Sequence, residues 1–338
     1  MEYFLKYIRN SNLYLMKKIG IFILLCIGIF SCNTKSSKKI LIDSSGRMNH
    51  VLVVIDNNDW KGILGDSIRN ILAKPVVGLP QPEPIFHLNQ IDPTGFGSFL
   101  KATRNIIFVT NAAKNSYILK KDVYAKPQVV VEVKGKTASA IAATFKEKQD
   151  EIITTIRNSD LAVFQKKHLQ KNYFKPENVT FLQENGLRMH IPYMYPKSHD
   201  DKEYAWFIRD IPQGYLNILL YTIPITSDAD IQGENIILER DKRGYYVPGA
   251  KEGMHIKTEE AFTPERVKTT IAGLPAYETR GKWYMIDDYM AGPFLNYTIV
   301  DKKNNRLIVA EGFTYAPNIN KRNYMFELEA ILKTLKVD

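Results

Sequence analysis

The residues whose types could do chemistry are dispersed along this 338-residue chain. The six histidines (His50, His87, His168, His190, His199 and His255) include no pair at i,i+4, and there is no Cys-x-x-Cys. No zinc ligand set is therefore written into the sequence. His199 beside Asp200 and Asp201 reads as a solvated loop. Asp228, Asp230, Gly233 and Glu239 fall at positions 1, 3, 6 and 12 of a calcium-binding loop. Gln232 and Asn235 depart from that pattern, and a strand precedes the window where a helix should. The preferred reading is a helix over about 229–243, capped by Ser227 or Asp228, with Arg240, Lys242 and Arg243 at its negative end before Gly244. Nucleophilic catalysis has no Gly-x-Ser-x-Gly to rest on. The carboxylate pairs Asp287-Asp288 and Glu259-Glu260 could serve a glycosidase, but adjacent residues point opposite ways on a strand. No catalytic residue, metal ligand or cofactor is assigned.

Aromatic residues are the remaining chemical signal. Of the 16 tyrosines after Cys32, 14 lie between 173 and 324, together with Trp206 and Trp283. Such rings on a sheet face stack on sugars or grip peptides. They are also good strand formers, so a purely structural role competes. Trp206, Trp283 and Tyr215 are the candidate ligand-binding residues.

The elements that must position these residues follow from periodicity. The composition, 45% hydrophobic and 24% charged, is that of an ordinary globular chain. His50 to Asp56 is a continuous apolar run typical of a buried strand, and Trp60 to Leu72 has a helical period. Prolines at alternate positions make 78–84 irregular. Ile85 to Leu88, Asn105 to Thr110 and Gln128 to Val133 read as further strands. Thr137 to Lys171 is a long helical segment, with a break expected near Asn158-Ser159-Asp160 that would split it in two. In the second half, Leu187 to Ile191 and Tyr204 to Arg209 alternate apolar and polar residues. Pro212-Gln213-Gly214 and Asp301 to Asn305 mark hairpins. Asn318 or Asn320 can cap a final helix carrying Tyr324, Leu328, Ile331, Leu332 and Leu335 on one face. The expected fold class is α+β: an N-terminal mixed α/β unit over 48–172 ending in the long helix, then a mainly antiparallel sheet packed with helices over 177–338.

The N-terminus addresses the protein. Lys17 and Lys18 precede the apolar run Ile19–Phe30, which is too short to span a membrane and has the layout of a secretory signal. The run ends in Ile29-Phe30-Ser31-Cys32, which resembles the lipobox of bacterial lipoproteins except for the bulky Phe30. In that family the cysteine is acylated, with palmitate-type chains, and the chain is cut just before it. The resemblance implies a signal peptide over 1–31, lipidation at Cys32 and a flexible tether over 32–47; either Met16 is the start or 1–15 is a long n-region. Cys26 would leave with the signal, so no disulfide is available. Residues 32–171 carry 21 Lys and Arg against 12 Asp and Glu, and residues 172–338 carry 21 against 23. The basic half is thus the tethered half, and attraction to anionic lipid or wall polymer competes with a merely solvated surface. Nucleic acid is excluded as a partner by export. Surface-exposed lipoproteins of some Gram-negative lineages resemble each other in acidic residues just after the lipid cysteine. None occurs here before Asp43, which favours the periplasmic side, and the expected location is a lipid anchor at the outer membrane.

Several segments together resemble one family. They are the lipobox, the strand before the Trp60 helix, Leu79-Pro80-Gln81-Pro82-Glu83-Pro84, Ala125-Lys126-Pro127-Gln128, Arg209-Asp210-Ile211-Pro212-Gln213-Gly214 and Tyr315-Ala316-Pro317. The chain is similar, over nearly all of 48–336, to the envelope-lipoprotein family of domain of unknown function 4837. That resemblance implies no activity. The expectation is a non-catalytic envelope protein that binds a protein, peptide or glycan through its second half; the alternative is a periplasmic hydrolase of wall or glycan material using a carboxylate pair.

Overall fold

Val51 to Val54 is apolar at every position because both faces of its strand are covered. The computed structural model describes residues 40–338. The predicted signal, Cys32 and the start of the tether lie outside the described residues. The first half runs β1 (Ile42–Asp43), β2 (His50–Val54), α1 (Asn57–Lys61), α2 (Ile63–Leu72), β3 (His87–Ile91), β4 (Asn105–Asn111), β5 (Ser116–Lys121), β6 (Ala125–Lys126), β7 (Val129–Gly135) and α3 (Ala138–His168). A five-stranded sheet has the order β3-β2-β4-β7-β5, parallel except for β5. Val51, Val53, Ile107, Val131 and Val133 face Leu64, Ile68, Ile141, Phe145 and Ile152 of α2 and α3. The alternate residues Leu52, Val54, Ile106 and Val130 lie under Phe96, Leu100 and Tyr124 from the loops. This double cover is what a parallel sheet needs.

The second half runs α4 (Thr180–Glu184), β8 (Leu187–Arg188), β9 (Lys197–Asp200), β10 (Tyr204–Ile211), β11 (Gly214–Pro224), α5 (Asp228–Ile231), α6 (Ile236–Lys242), β12 (Ile256–Thr258), β13 (Glu265–Ile271), β14 (Leu274–Met285), β15 (Ala291–Asp301), β16 (Arg306–Tyr315), α7 (Arg322–Leu332) and β17 (Lys336–Val337). Eight of these strands form one antiparallel sheet in the order β12-β14-β15-β16-β11-β10-β9, with β13 also paired to β14. One face of the sheet buries Phe207, Ile218, Leu295 and Ile308 against Leu328, Ile331 and Leu332 of α7. The other buries Tyr221, Trp283, Phe294 and Phe313 against Ile236, Tyr246 and Val247. The fold class is the α+β arrangement expected.

Several local expectations need correction. The tether does not extend to 47, because β1 pairs with β6 and the Ser45 N–H donates to the Ala102 carbonyl at 2.8 Å. The third strand begins at His87, not Ile85, and the alternation over Leu187–Ile191 yields only the two-residue β8. Helix α3 is unbroken at 158–160. Its 31 residues span roughly 46 Å, and its C-terminal part leaves the first sheet to pack on α7 through Leu161, Phe326 and Ala330. The expected helix over 229–243 is two short ones, since Gly233 takes φ +74° and a Cβ there would come within 2.9 Å of the Tyr277 ring.

The cap of α7 is a further surprise. Neither Asn318 nor Asn320 supplies it; the Glu83 carboxylate, 238 residues earlier, accepts from the Lys321 N–H at 2.5 Å and the Arg322 N–H at 3.0 Å. An acidic group satisfies the free donors of a helix start and favours its positive end. The rigid proline setting of Glu83 presents it there, so the Pro-rich loop ties the two halves together. Glu83→Ala is expected to cost about 1–2 kcal/mol, read as a lowered urea midpoint. An unchanged midpoint would show that water replaces the cap without loss.

Candidate ligand-binding site

Strand alternation decides which aromatic residues meet. Trp206 and Ile208 share one face of β10, Tyr215 and Asn217 one face of β11, Phe313 and Tyr315 one face of β16, and Trp283 and Met285 one face of β14. Register sets these pairs side by side: Asn217 lies opposite Phe313, and Tyr215 opposite Tyr315, with ring centroids 6.5 Å apart. With Val247 to Ala250, Ile256 and Met290 they enclose a cavity of ≈ 220 Å³. All three sequence-predicted residues, Trp206, Tyr215 and Trp283, line it. Of their neighbours, Tyr315 belonged to the same tyrosine concentration, whereas Met285 and Met290 had no sequence signal.

The depth of the site follows from close packing at its floor. Trp283 is 1% exposed, makes an edge contact with Phe313 at 5.4 Å, and donates its indole N–H to the Thr314 carbonyl at 3.3 Å. Gly292, its cross-strand partner, allows this approach; a Cβ there would fall 1.9 Å from the Thr314 carbonyl oxygen. Trp206 is half-buried at the wall and donates its indole N–H to the Asn217 amide oxygen at 3.1 Å. Tyr215, 43% exposed, stands at the rim. No lining side chain is charged. The site can therefore receive an apolar or aromatic group and offers few unspent hydrogen bonds.

The other sequence candidates are not assembled. In the calcium-like window, Asp230 is 5% exposed and spends both carboxylate oxygens locally, accepting from the Thr226 and Ser227 N–H groups, both hydroxyls and the Asn235 amide. Those hydrogen bonds hold its carboxyl well below the usual aspartate range, the Asn235 bond foremost. Glu239 is bound to Lys242 and Arg243. Arg240, expected at the negative end of a helix, is buried on Phe294 and clamps Glu311 at 2.8 Å. Among the described residues no three metal-ligating side chains cluster. His199 bonds Asp201 at 2.8 Å and stacks on Tyr204. Asp288 accepts from the Tyr289 N–H, and Glu260 reaches Lys257 at 3.7 Å, so both carboxylate pairs serve local turns. Cys32 lies outside the described residues.

The larger cleft, ≈ 850 Å³, does hold carboxylates. Glu329 bonds Arg157 at 2.5 Å, Arg280 at 2.9 Å and Lys333 at 2.8 Å. Burial pushes its carboxyl up, but these three cations outweigh burial and hold it well below the usual glutamate range. Glu278 is engaged by Arg280 at 2.7 Å and by the Tyr297 hydroxyl at 2.9 Å. Glu329 is thus kept ionised, the opposite of what a general acid of a glycosidase requires.

Comparison with known proteins gives families without activities. No functionally curated protein matches the chain. Among solved structures, LpqN, involved in cell envelope biogenesis of Mycobacterium tuberculosis, aligns with 11% identity and a TM-score of 0.29, over 44% of this chain and 82% of its own. The Saccharomyces cerevisiae Ran-binding protein Mog1p aligns with 8% identity and a TM-score of 0.31, over 45% of this chain and 90% of its own. Both likenesses are too distant to carry fold or function across. Residues 44–169 match the model of a domain of unknown function, DUF8532, so the resemblance seen over 48–336 is divided between two families. Residues 175–334, which build the aromatic cavity, match the model of another domain of unknown function, DUF4837.

Proposed function

We propose that this chain is a bacterial envelope protein, anchored through acylated Cys32 at the outer membrane and facing the periplasm, whose second half binds an apolar segment of a partner protein. The observation that carries the binding reading is the convergence of Trp206, Tyr215 and Trp283 around one uncharged cavity. Aromatic and methionine side chains at the edge of a desolvated pocket are the usual anchors of protein recognition. A glycan fits less well, because its many hydroxyls would lose water with little replacement; both indole donors are already spent within the site, leaving the hydroxyls of Tyr215 and Tyr315.

The test is affinity capture of the lipidated chain from its own envelope, in parallel with Trp206→Ala. Trp206 packs against the second core of the sheet and bonds Asn217, so the variant should melt a few degrees lower, and recovery is compared at a temperature where both proteins are folded. The variant should lose the partner by at least tenfold, since a buried tryptophan anchor contributes about 2 kcal/mol or more. Equal recovery with both proteins would sink the proposal. The anchor is checked separately by mass spectrometry of membrane-extracted protein, which should show an acylated N-terminal Cys32. An unmodified soluble chain beginning elsewhere would refute it.

A further inference from the structure

A second cleft, ≈ 610 Å³, opens where the first residues of β2 and β3 meet the last turn of α3 and the first turn of α7. Its ionisable lining is almost all basic: Arg47, His50, His87, Arg104, Lys167, His168 and Arg322, against the single carboxylate of Glu327. That carboxylate is already committed to Arg209 and to the Tyr195 hydroxyl. Arg104 is likewise spent, on Asp160 at 3.1 Å. Arg47 and Lys167 form no ion pair among the described residues. Arg322 gives one guanidinium N–H to the Pro84 carbonyl at 3.0 Å and another to Asn323 at 3.2 Å. Three fixed cations and three imidazoles therefore converge on one concavity, and the nearest carboxylates, Glu83 beside Arg322 and Glu327, are both already bonded.

Crowding of like charges opposes folding. The imidazoles of His50 and His87 lie 4.6 Å apart. The histidine at the cleft floor, His50, is held down at about 4, by burial first and then by His87, Arg322 and Arg47. Like charges gathered in a cleft focus a positive potential that attracts anions. Guanidinium forks beside an ammonium match the oxygens of a phosphate group.

We propose that this cleft binds a phosphate-bearing anion, with Arg47, Lys167 and Arg322 as its direct contacts. Arg47 lies 15 residues after Cys32, so a chain anchored at Cys32 keeps the cleft within roughly 50 Å of a bilayer surface. The phosphate of a lipid headgroup and a free phosphate are both within its reach.

The test uses the full-length chain in nonionic detergent, with histidine ring resonances followed by NMR. Inorganic phosphate and short-chain phosphatidylglycerol are titrated separately. Bound anion should move the His50 ring signals and raise its pKa above about 4. Arg47→Ala with Lys167→Ala, both at exposed positions, should weaken binding by about tenfold or more. Lys302→Ala with Lys303→Ala, which removes the same charge from a distant hairpin, should leave it unchanged. Response to phosphate alone identifies a free anion as the source; response to the lipid alone, or to both, identifies a headgroup. No response to either probe overturns the proposal, as does equal weakening by the two double variants, which would reveal only general surface attraction.

Discussion

Replacing Glu329 by glutamine is expected to lower the stability of the folded chain by about 3–5 kcal/mol, the cost of breaking a buried ion pair by removing one partner. The Glu329 side chain is 3% exposed and receives Arg157 from α3, Arg280 from β14 and Lys333 just beyond α7. Glutamine keeps the shape but leaves two partly buried guanidiniums short of a counter-charge. Arg280 retains Glu278, whereas Arg157 retains no ion pair among the described residues, so contact between α3 and α7 should loosen first. Urea unfolding should show a lower midpoint with an unchanged slope. The pH dependence has a definite sign. Because the Glu329 carboxyl is held below its unfolded value, its contribution is present above the ordinary glutamate range near about 4.3. It is lost as pH falls further, so the acid limb of the stability curve should be shallower in Glu329→Gln than in the parent. Parallel acid limbs, or an unchanged midpoint, would mean that this network contributes nothing net.

Asp160→Ala should be comparably damaging, again by about 3–5 kcal/mol. Asp160 is wholly buried and accepts from the Asn49 N–H at 2.7 Å, from Arg104 at 3.1 Å and from the Asn105 amide at 3.2 Å. It joins α3 to the starts of β2 and β4, and Arg104 is itself only 2% exposed. Alanine would strand that guanidinium in the interior. Pairing the change with Arg104→Met removes the orphaned charge, and the double variant should recover part of the loss. A double-mutant cycle on unfolding free energies checks this. If Asp160→Ala and the double variant are equally unstable, packing around Asp160, and not its charge, is what matters.

Asp160 also shows where local reasoning stops. Asn158-Ser159-Asp160 reads as a helix break because these side chains compete with the backbone for hydrogen bonds. In the folded chain Arg104 and Asn105, more than fifty residues away, claim the Asp160 carboxylate, and the helix runs through. The same holds at α7. Asn318 and Asn320 are suitable caps by type, yet Glu83 arrives from a different loop and takes the position. Arg240 reads as a helix-end cation and is instead the buried partner of Glu311, from a strand that no local pattern connects to it.

What the sequence determined by itself is whatever depends on short-range periodicity and turn chemistry. The apolar run at 50–54, the hairpins at 211–214 and 301–306, the last helix and the α+β class all follow from spacing within about ten residues. Trp206, Tyr215 and Trp283 were visible as aromatic residues on strands, but not as neighbours. The tertiary structure alone decided that they share one cavity, because β10, β11, β14 and β16 are brought together by register in a curled sheet. It likewise decided that Arg47, His50, His87, Lys167 and His168 face one cleft with Arg322 of α7. Charge and apolarity are properties of a residue and can be read along the chain. Convergence is a property of the fold, set by strand order and helix packing between residues hundreds of positions apart.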